Sequence, residues 1–162
     1  VGFVGLAEAL KVLTGHHHGE SAESQKLGLD IVGRMASYME QKCRETGLNW
    51  NLIATPNKGT ALRFARLDKK KFGSIPGVTD RERYTDSFLV PEDDSVDVYQ
   101  RIRLEAPYHG LTLGGHLCRA ELDSPEPEQE LERVLHVMKE AGIGYAMAGP
   151  REIYQSAAGQ AL

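Results

Sequence analysis

The chain has 162 residues, 41% hydrophobic and 26% charged, with a net charge of −4 from 19 basic and 23 acidic side chains. That length suits one domain with a sizeable core, and the acidic balance excludes broad nucleic-acid binding while leaving room for a local cluster that holds one phosphate group. No apolar run approaches the roughly 20 residues of a membrane span, and Cys43 and Cys118 are too few for a disulfide framework or a zinc site, which points to a reducing, cytoplasmic setting.

Residues 1–6 have no basic stretch before them and do not read as a signal peptide; with no initiating Met, they are expected to be the cut edge of something longer. Leu6, Leu10 and Leu13 then predict a helix over 3–13, ended by Gly15. His16, His17 and His18 follow. Consecutive residues cannot share a helix face, and zinc motifs space their histidines three to five apart, so a solvated loop is expected and no metal site. Residues 21–46 read as the longest helix, with Ser21 and Ser24 as caps and Glu20 and Glu23 at its positive end. Its apolar line is Leu27, Ile31, Met35 and Tyr38, with Val32 and Met39 beside it, and Gly47 ends it.

Trp50, Leu52 and Ala54 recur with period two and predict a strand, which Pro56 should stop. Ala61, Phe64, Ala65 and Asp68 then predict a helix. The turn between them, Thr55, Pro56, Asn57, Lys58, Gly59 and Thr60, leaves free amides at the positive end of that helix. This makes it a candidate anion site, with Lys58 adding a charge and Thr60 a hydroxyl; the other reading is a capped turn with no ligand. Lys69, Lys70 and Lys71 complement the negative helix end. Thr79 and Glu82 have capping-box spacing, so residues 80–83 are expected to form one helical turn.

Residues 84–90 read as a strand ended by Pro91. Its centre, Asp86 and Ser87, is polar within a segment expected to be buried, and so needs partners. Ser95 can cap a helix carrying Val98, Tyr99, Ile102 and Ala106, stopped by Pro107. A glycine-rich loop over 108–116 contains His109 and His116, with structural and catalytic roles both open. A short strand over 117–122 and a helix with Leu131, Val134, Leu135 and Met138 follow. The acidic run Glu126, Glu128, Glu130 and Glu132 serves that helix's dipole, Gly142 ends it, and residues 143–147 read as a last strand. There is no repeat, phosphate loop, dinucleotide fingerprint or nucleophile elbow. Alternating helices and mostly parallel strands give an α/β fold, and about four strands are few for a closed barrel.

Several ordered stretches resemble the anaerobic, class III ribonucleoside-triphosphate reductases: residues 2–6, 18–21, 54–56, 73–80, 84–88, 114–116 and 140–145. The resemblance covers residues 1–147, leaving 148–162 as a divergent tail. It implies an internal piece, near the C-terminal end, of a ten-stranded α/β barrel that reduces ribonucleotides to deoxyribonucleotides. In that family a glycyl radical, installed by an iron-sulfur, S-adenosylmethionine-dependent activase, passes to a cysteine inside the barrel, and four cysteines hold a structural zinc. Those radical and zinc residues are not matched here, so catalytic residues stay unknown and no cofactor site is expected in this chain. Where the family reads Thr-Pro-Ala-Glu this chain has Thr55-Pro56-Asn57-Lys58, and where it reads Tyr-Thr-Asn-Ser-Phe-His-Val it has Asp86 for the amide and Leu89 for the histidine. The resemblance implies substrate-phosphate binding by Thr55, Asn57, Lys58, Gly59 and Thr60, and an active-site lining of Tyr84, Asp86, Ser87 and His116. Expected partners are a ribonucleoside triphosphate, the rest of the reductase subunit or a second copy, and the activase. A phosphate-binding module and an inert structural fragment remain the alternatives.

Overall fold

The computed structural model describes residues 1–54, 57–91, 96–122 and 127–150. In chain order the elements are α1 (Leu6–Thr14), α2 (Ala22–Thr46), α3 (Lys58–Phe72), α4 (Val98–His109), β1 (Cys118–Glu121), α5 (Pro127–Glu140) and β2 (Ala146–Gly149). β1 and β2 pair in parallel, Cys118 opposite Ala146 and Glu121 opposite Gly149, with α5 as the crossover. The fold class is therefore mixed helices and parallel strands, as the alternation predicts.

Helix ends follow local rules. Ser21 Oγ accepts the Ser24 amide and Asn57 Oδ1 the Thr60 amide, and Gly15 and Gly47 close α1 and α2 at positive φ. Other boundaries depart from the pattern. α3 begins at Lys58, which places Lys58, Gly59 and Thr60 in its first turn rather than before it. α4 runs through Pro107 to His109, because a proline near a helix end removes one bond without blocking the last turn. Its cap is Asp97; Ser95 lies outside the described residues. Residues 80–83 form bends, and Thr79 is instead buried with its hydroxyl between the Ile75 amide and the Gly73 carbonyl.

Two of the expected strands are single bridges: Ile53 pairs in parallel with Gly2, and Asp86 antiparallel with Val4. The segment 84–90 turns at Ser87, whose φ of 49° is left-handed, and this sends Phe88 into the core. The last strand begins at Ala146, three residues later than its apolar run.

Two apolar clusters meet along α4. One gathers Leu6, Leu10, Val32, Met39, Leu52, Phe88 and Tyr108. The other gathers Ile102, Cys118, Ala120, Leu122, Val134, Val137 and Met138. α4 serves both because Ile102, Glu105, Tyr108 and His109 lie on one buried stripe. α2 buries Ser24, Gly28, Val32 and Met39, while Tyr38 of the expected line is exposed. The stripe is rotated because Tyr108 packs over Gly28, where an added Cβ would collide with its hydroxyl. Trp50 is likewise exposed at the mouth of the expected strand.

Gly28→Ala is expected to lower the free energy of unfolding by about 1–3 kcal/mol through this overpacking. The check is a lower urea midpoint at unchanged slope.

Candidate functional site

The N-terminus of α3 is the centre of the site. Asn57 caps it, accepting the Thr60 amide at 3.1 Å on its side chain and the Ala61 amide at 2.9 Å on its carbonyl. The Asn57 amide itself donates to Asp86 Oδ1 at 3.1 Å. That leaves the amides of Lys58 and Gly59, both exposed residues, without a protein partner among the described residues. An added Cβ at Gly59 would meet nothing within 4 Å, so the first turn is open. Open amides at the positive end of a helix, in a turn that carries Lys58, are the features that make this a candidate anion site. Thr55 lies outside the described residues.

Asp86 is 6% exposed. The Arg83 guanidinium lies 3.6 Å from its Oδ2 as an ion pair. At that separation Nη1 makes no hydrogen bond, and it is a buried atom without a partner. The cation that pairs with Asp86 is therefore Arg83. Ser87 Oγ is buried with no partner among the described residues. Tyr84 donates its hydroxyl to Asp68 Oδ2 at 2.7 Å, and burial together with that carboxylate pushes the phenol well above its ordinary range. Thr85 is tied to Glu8 Oε1 by its amide and its hydroxyl, at 2.9 and 2.7 Å.

His116 approaches from the glycine-rich loop. That loop runs along residues 52–54: the Gly114 amide donates to the Leu52 carbonyl, and the Ala54 amide to the Gly115 carbonyl. An added Cβ at Gly114 would sit 2.8 Å from the Leu52 oxygen, so the close approach requires glycine. His116 is thus carried beside the segment that enters α3, its ring 4.1 Å from that of His109. His109 is buried, with neither ring nitrogen partnered among the described residues. Burial first, and then His116, lower its pKa to about 4.

The sequence misplaces one group of residues and misses another. His17 and His18 are buried rather than solvated. His18 Nε2 lies 2.8 Å from the Phe88 carbonyl and so carries the proton, and burial lowers its pKa to about 4. Glu105, 1% exposed in α4, accepts the Val90 amide at 2.8 Å, and burial raises its pKa to about 7. An isolated Glu on an apolar helix stripe is the one signal that could have found it. Burial pushes the Cys118 thiol up to about 12, and Cys43 donates to the Trp50 carbonyl. Among the described residues no group of three or more potential ligands is placed to hold a metal ion, and no helix is long and apolar enough to cross a membrane.

A family model described as anaerobic ribonucleoside-triphosphate reductase matches residues 1–152. The anaerobic ribonucleoside-triphosphate reductases of Salmonella typhimurium and Escherichia coli are each 38% identical to this chain over 122 residues, and that of Enterobacteria phage T4 is 34% identical. The first two alignments cover 75% of this chain and 17% of those proteins, so the chain spans under a fifth of their length. Among solved structures, the anaerobic ribonucleotide reductase from Thermotoga maritima with glycerol in the active site matches at a TM-score of 0.72 and 19% identity, over 90% of this chain and 23% of that one. The same enzyme in complex with dATP and CTP matches at 0.64 and 22%, over 79% and 20%. These two likenesses concern the fold.

The buried titratable groups set opposite pH limits. Glu105 has a raised pKa in the folded state, so its contribution to stability is full below about 4.5 and lost as pH rises through about 7. His18 and His109 have lowered values, so theirs is full above 6.5 and lost as pH falls towards about 4. Glu105→Gln keeps an acceptor for Val90 and should remove the alkaline loss, about 3 kcal/mol between pH 5 and pH 8. Chemical denaturation of both proteins at the two pH values checks it.

Proposed function

The chain belongs to the anaerobic ribonucleoside-triphosphate reductase family, and on that premise we propose that it supplies substrate-phosphate binding and a segment of barrel wall to the reduction of ribonucleotides to deoxyribonucleotides. The observation that carries this reading is the open first turn of α3, where the Lys58 and Gly59 amides have no protein partner among the described residues. Phosphate oxygens would be held by the Lys58 and Gly59 amides and by Lys58, with the Thr60 hydroxyl within the same turn. Thr55 is proposed with them on the family resemblance. Tyr84, Asp86, Ser87 and His116 would line the adjoining wall, and Ser87 Oγ is a buried group still free to accept or donate.

The glycyl and thiyl radical chemistry belongs to the rest of such an enzyme. Neither cysteine falls at a position of the family's radical cysteine: Cys118 lies in β1, and Cys43 sits at the end of α2 bound to the Trp50 backbone. Two cysteines also do not supply a four-cysteine zinc site. The chain's share is to hold the triphosphate, with the remainder of the reductase subunit, or a second copy, against its exposed apolar residues. The radical-installing activase would act on that remainder, and the setting would be cytoplasmic.

Titration of the protein with CTP by calorimetry tests the site. Charge-assisted contacts contribute roughly 1.5–3 kcal/mol, so Lys58→Ala is expected to weaken binding by about tenfold or more. Equal affinity for the two proteins would remove Lys58 from the site.

A further inference from the structure

We propose that Asp86 is an anion built into the chain that competes with bound phosphate at the start of α3, and so sets the site's selectivity for ligand charge. This rests on the phosphate reading above and concerns how that site is regulated.

The start of α3 is where the helix dipole and the unpaired amides favour negative charge. Its first turn contains no acidic residue. The negative charge comes instead from Asp86, 29 positions along the chain, whose Oδ1 accepts the Asn57 amide at 3.1 Å. The carboxylate is 6% exposed, so water screens it poorly. It is fixed on three sides. Its backbone bridges Val4, the Asn57 amide holds one oxygen, and Arg83 lies 3.6 Å from the other.

A phosphate on the Lys58 and Gly59 amides would therefore sit next along the chain from the Asn57 amide that this negative charge holds. Like charges on neighbouring groups at partial burial repel strongly enough to change affinity by about tenfold. Arg83 sets how much of that repulsion survives. Its ion pair with Asp86 is too long for a hydrogen bond, and Nη1 is buried and unpartnered among the described residues. The carboxylate thus holds the amide, the guanidinium and the local charge in a state that disfavours highly charged anions.

The test is calorimetric titration with inorganic phosphate, pyrophosphate and tripolyphosphate. Asp86→Asn keeps an oxygen for the Asn57 amide and removes the charge. It is expected to bind tripolyphosphate about tenfold more tightly than wild type, with a gain that grows from phosphate to tripolyphosphate. A structural effect alone would change all three alike. Arg83→Gln, at a half-exposed side chain, leaves Asp86 uncompensated and is expected to weaken tripolyphosphate binding. If wild type binds and Asp86→Asn shows no gain, or the same gain for all three anions, the competition is overturned while the phosphate site stands. If no protein binds any of the anions, both fall. Should Asp86→Asn not fold, Asp86→Ser, which also removes the charge, is read in its place by the same outcomes.

Discussion

The rest of the structure depends on how the buried segment 85–90 finds partners for its backbone. Buried amides and carbonyls must be paired, and this segment has one bridge, between Asp86 and Val4, with backbone bonds from the Gly5 and Leu6 amides to the Thr85 and Ser87 carbonyls and from the Leu89 amide to the Asp86 carbonyl. Side chains supply much of the remainder. Glu8 takes the Thr85 amide, His18 donates to the Phe88 carbonyl, and Glu105 takes the Val90 amide. Asp86 in turn reaches out to the Asn57 amide. Three helices and a loop are joined through one irregular segment.

This arrangement explains why charged and imidazole groups lie in the core of a small fold. Glu8, His18 and Glu105 are each at most 3% exposed. Each replaces a ladder bond that a neighbouring strand would otherwise make. The consequence is electrostatic: Glu105 resists ionisation and His18 resists protonation, because burial disfavours the charged form of each. Tyr108 stacks on Phe88 with ring centroids 5.1 Å apart, so the same segment is held from its apolar side as well. Polar and apolar contacts fix one conformation of it.

The functional reading follows from what that conformation leaves open. The start of α3 is anchored at Asn57 by Asp86, and the next two residues are exposed. A rigid anchor beside open donors is what a phosphate site requires, since donors already in place lose little freedom on binding. The glycine-rich loop adds His116 from the other side because Gly114 lets it lie against Leu52. The candidate site thus depends on contacts among segments 1–5, 52–54, 57–60, 84–90 and 110–116, none of which is a regular strand.

Much of the fold was legible in the sequence. Capping residues, glycines after helices and apolar periods located five helices and the parallel pair, because these are local preferences of a few neighbouring residues. The turn at Asn57, Lys58, Gly59 and Thr60 was legible for the same reason, as was the need of Asp86 for a partner. The tertiary structure decided that the partners are Arg83 and the Asn57 amide. It also decided that His17 and His18 are buried, that α2 turns Gly28 inward, and that Glu105 lies in the core. Each of these depends on residues far apart in the chain: His18 and Phe88 are 70 positions apart. The period-two pattern at 50–54 marked a segment that makes one bridge, at Ile53, whereas 84–90, read as a strand, makes one bridge at Asp86 and turns at Ser87. Whether an extended segment becomes a strand depends on a neighbour to pair with, and local sequence holds no information about that neighbour.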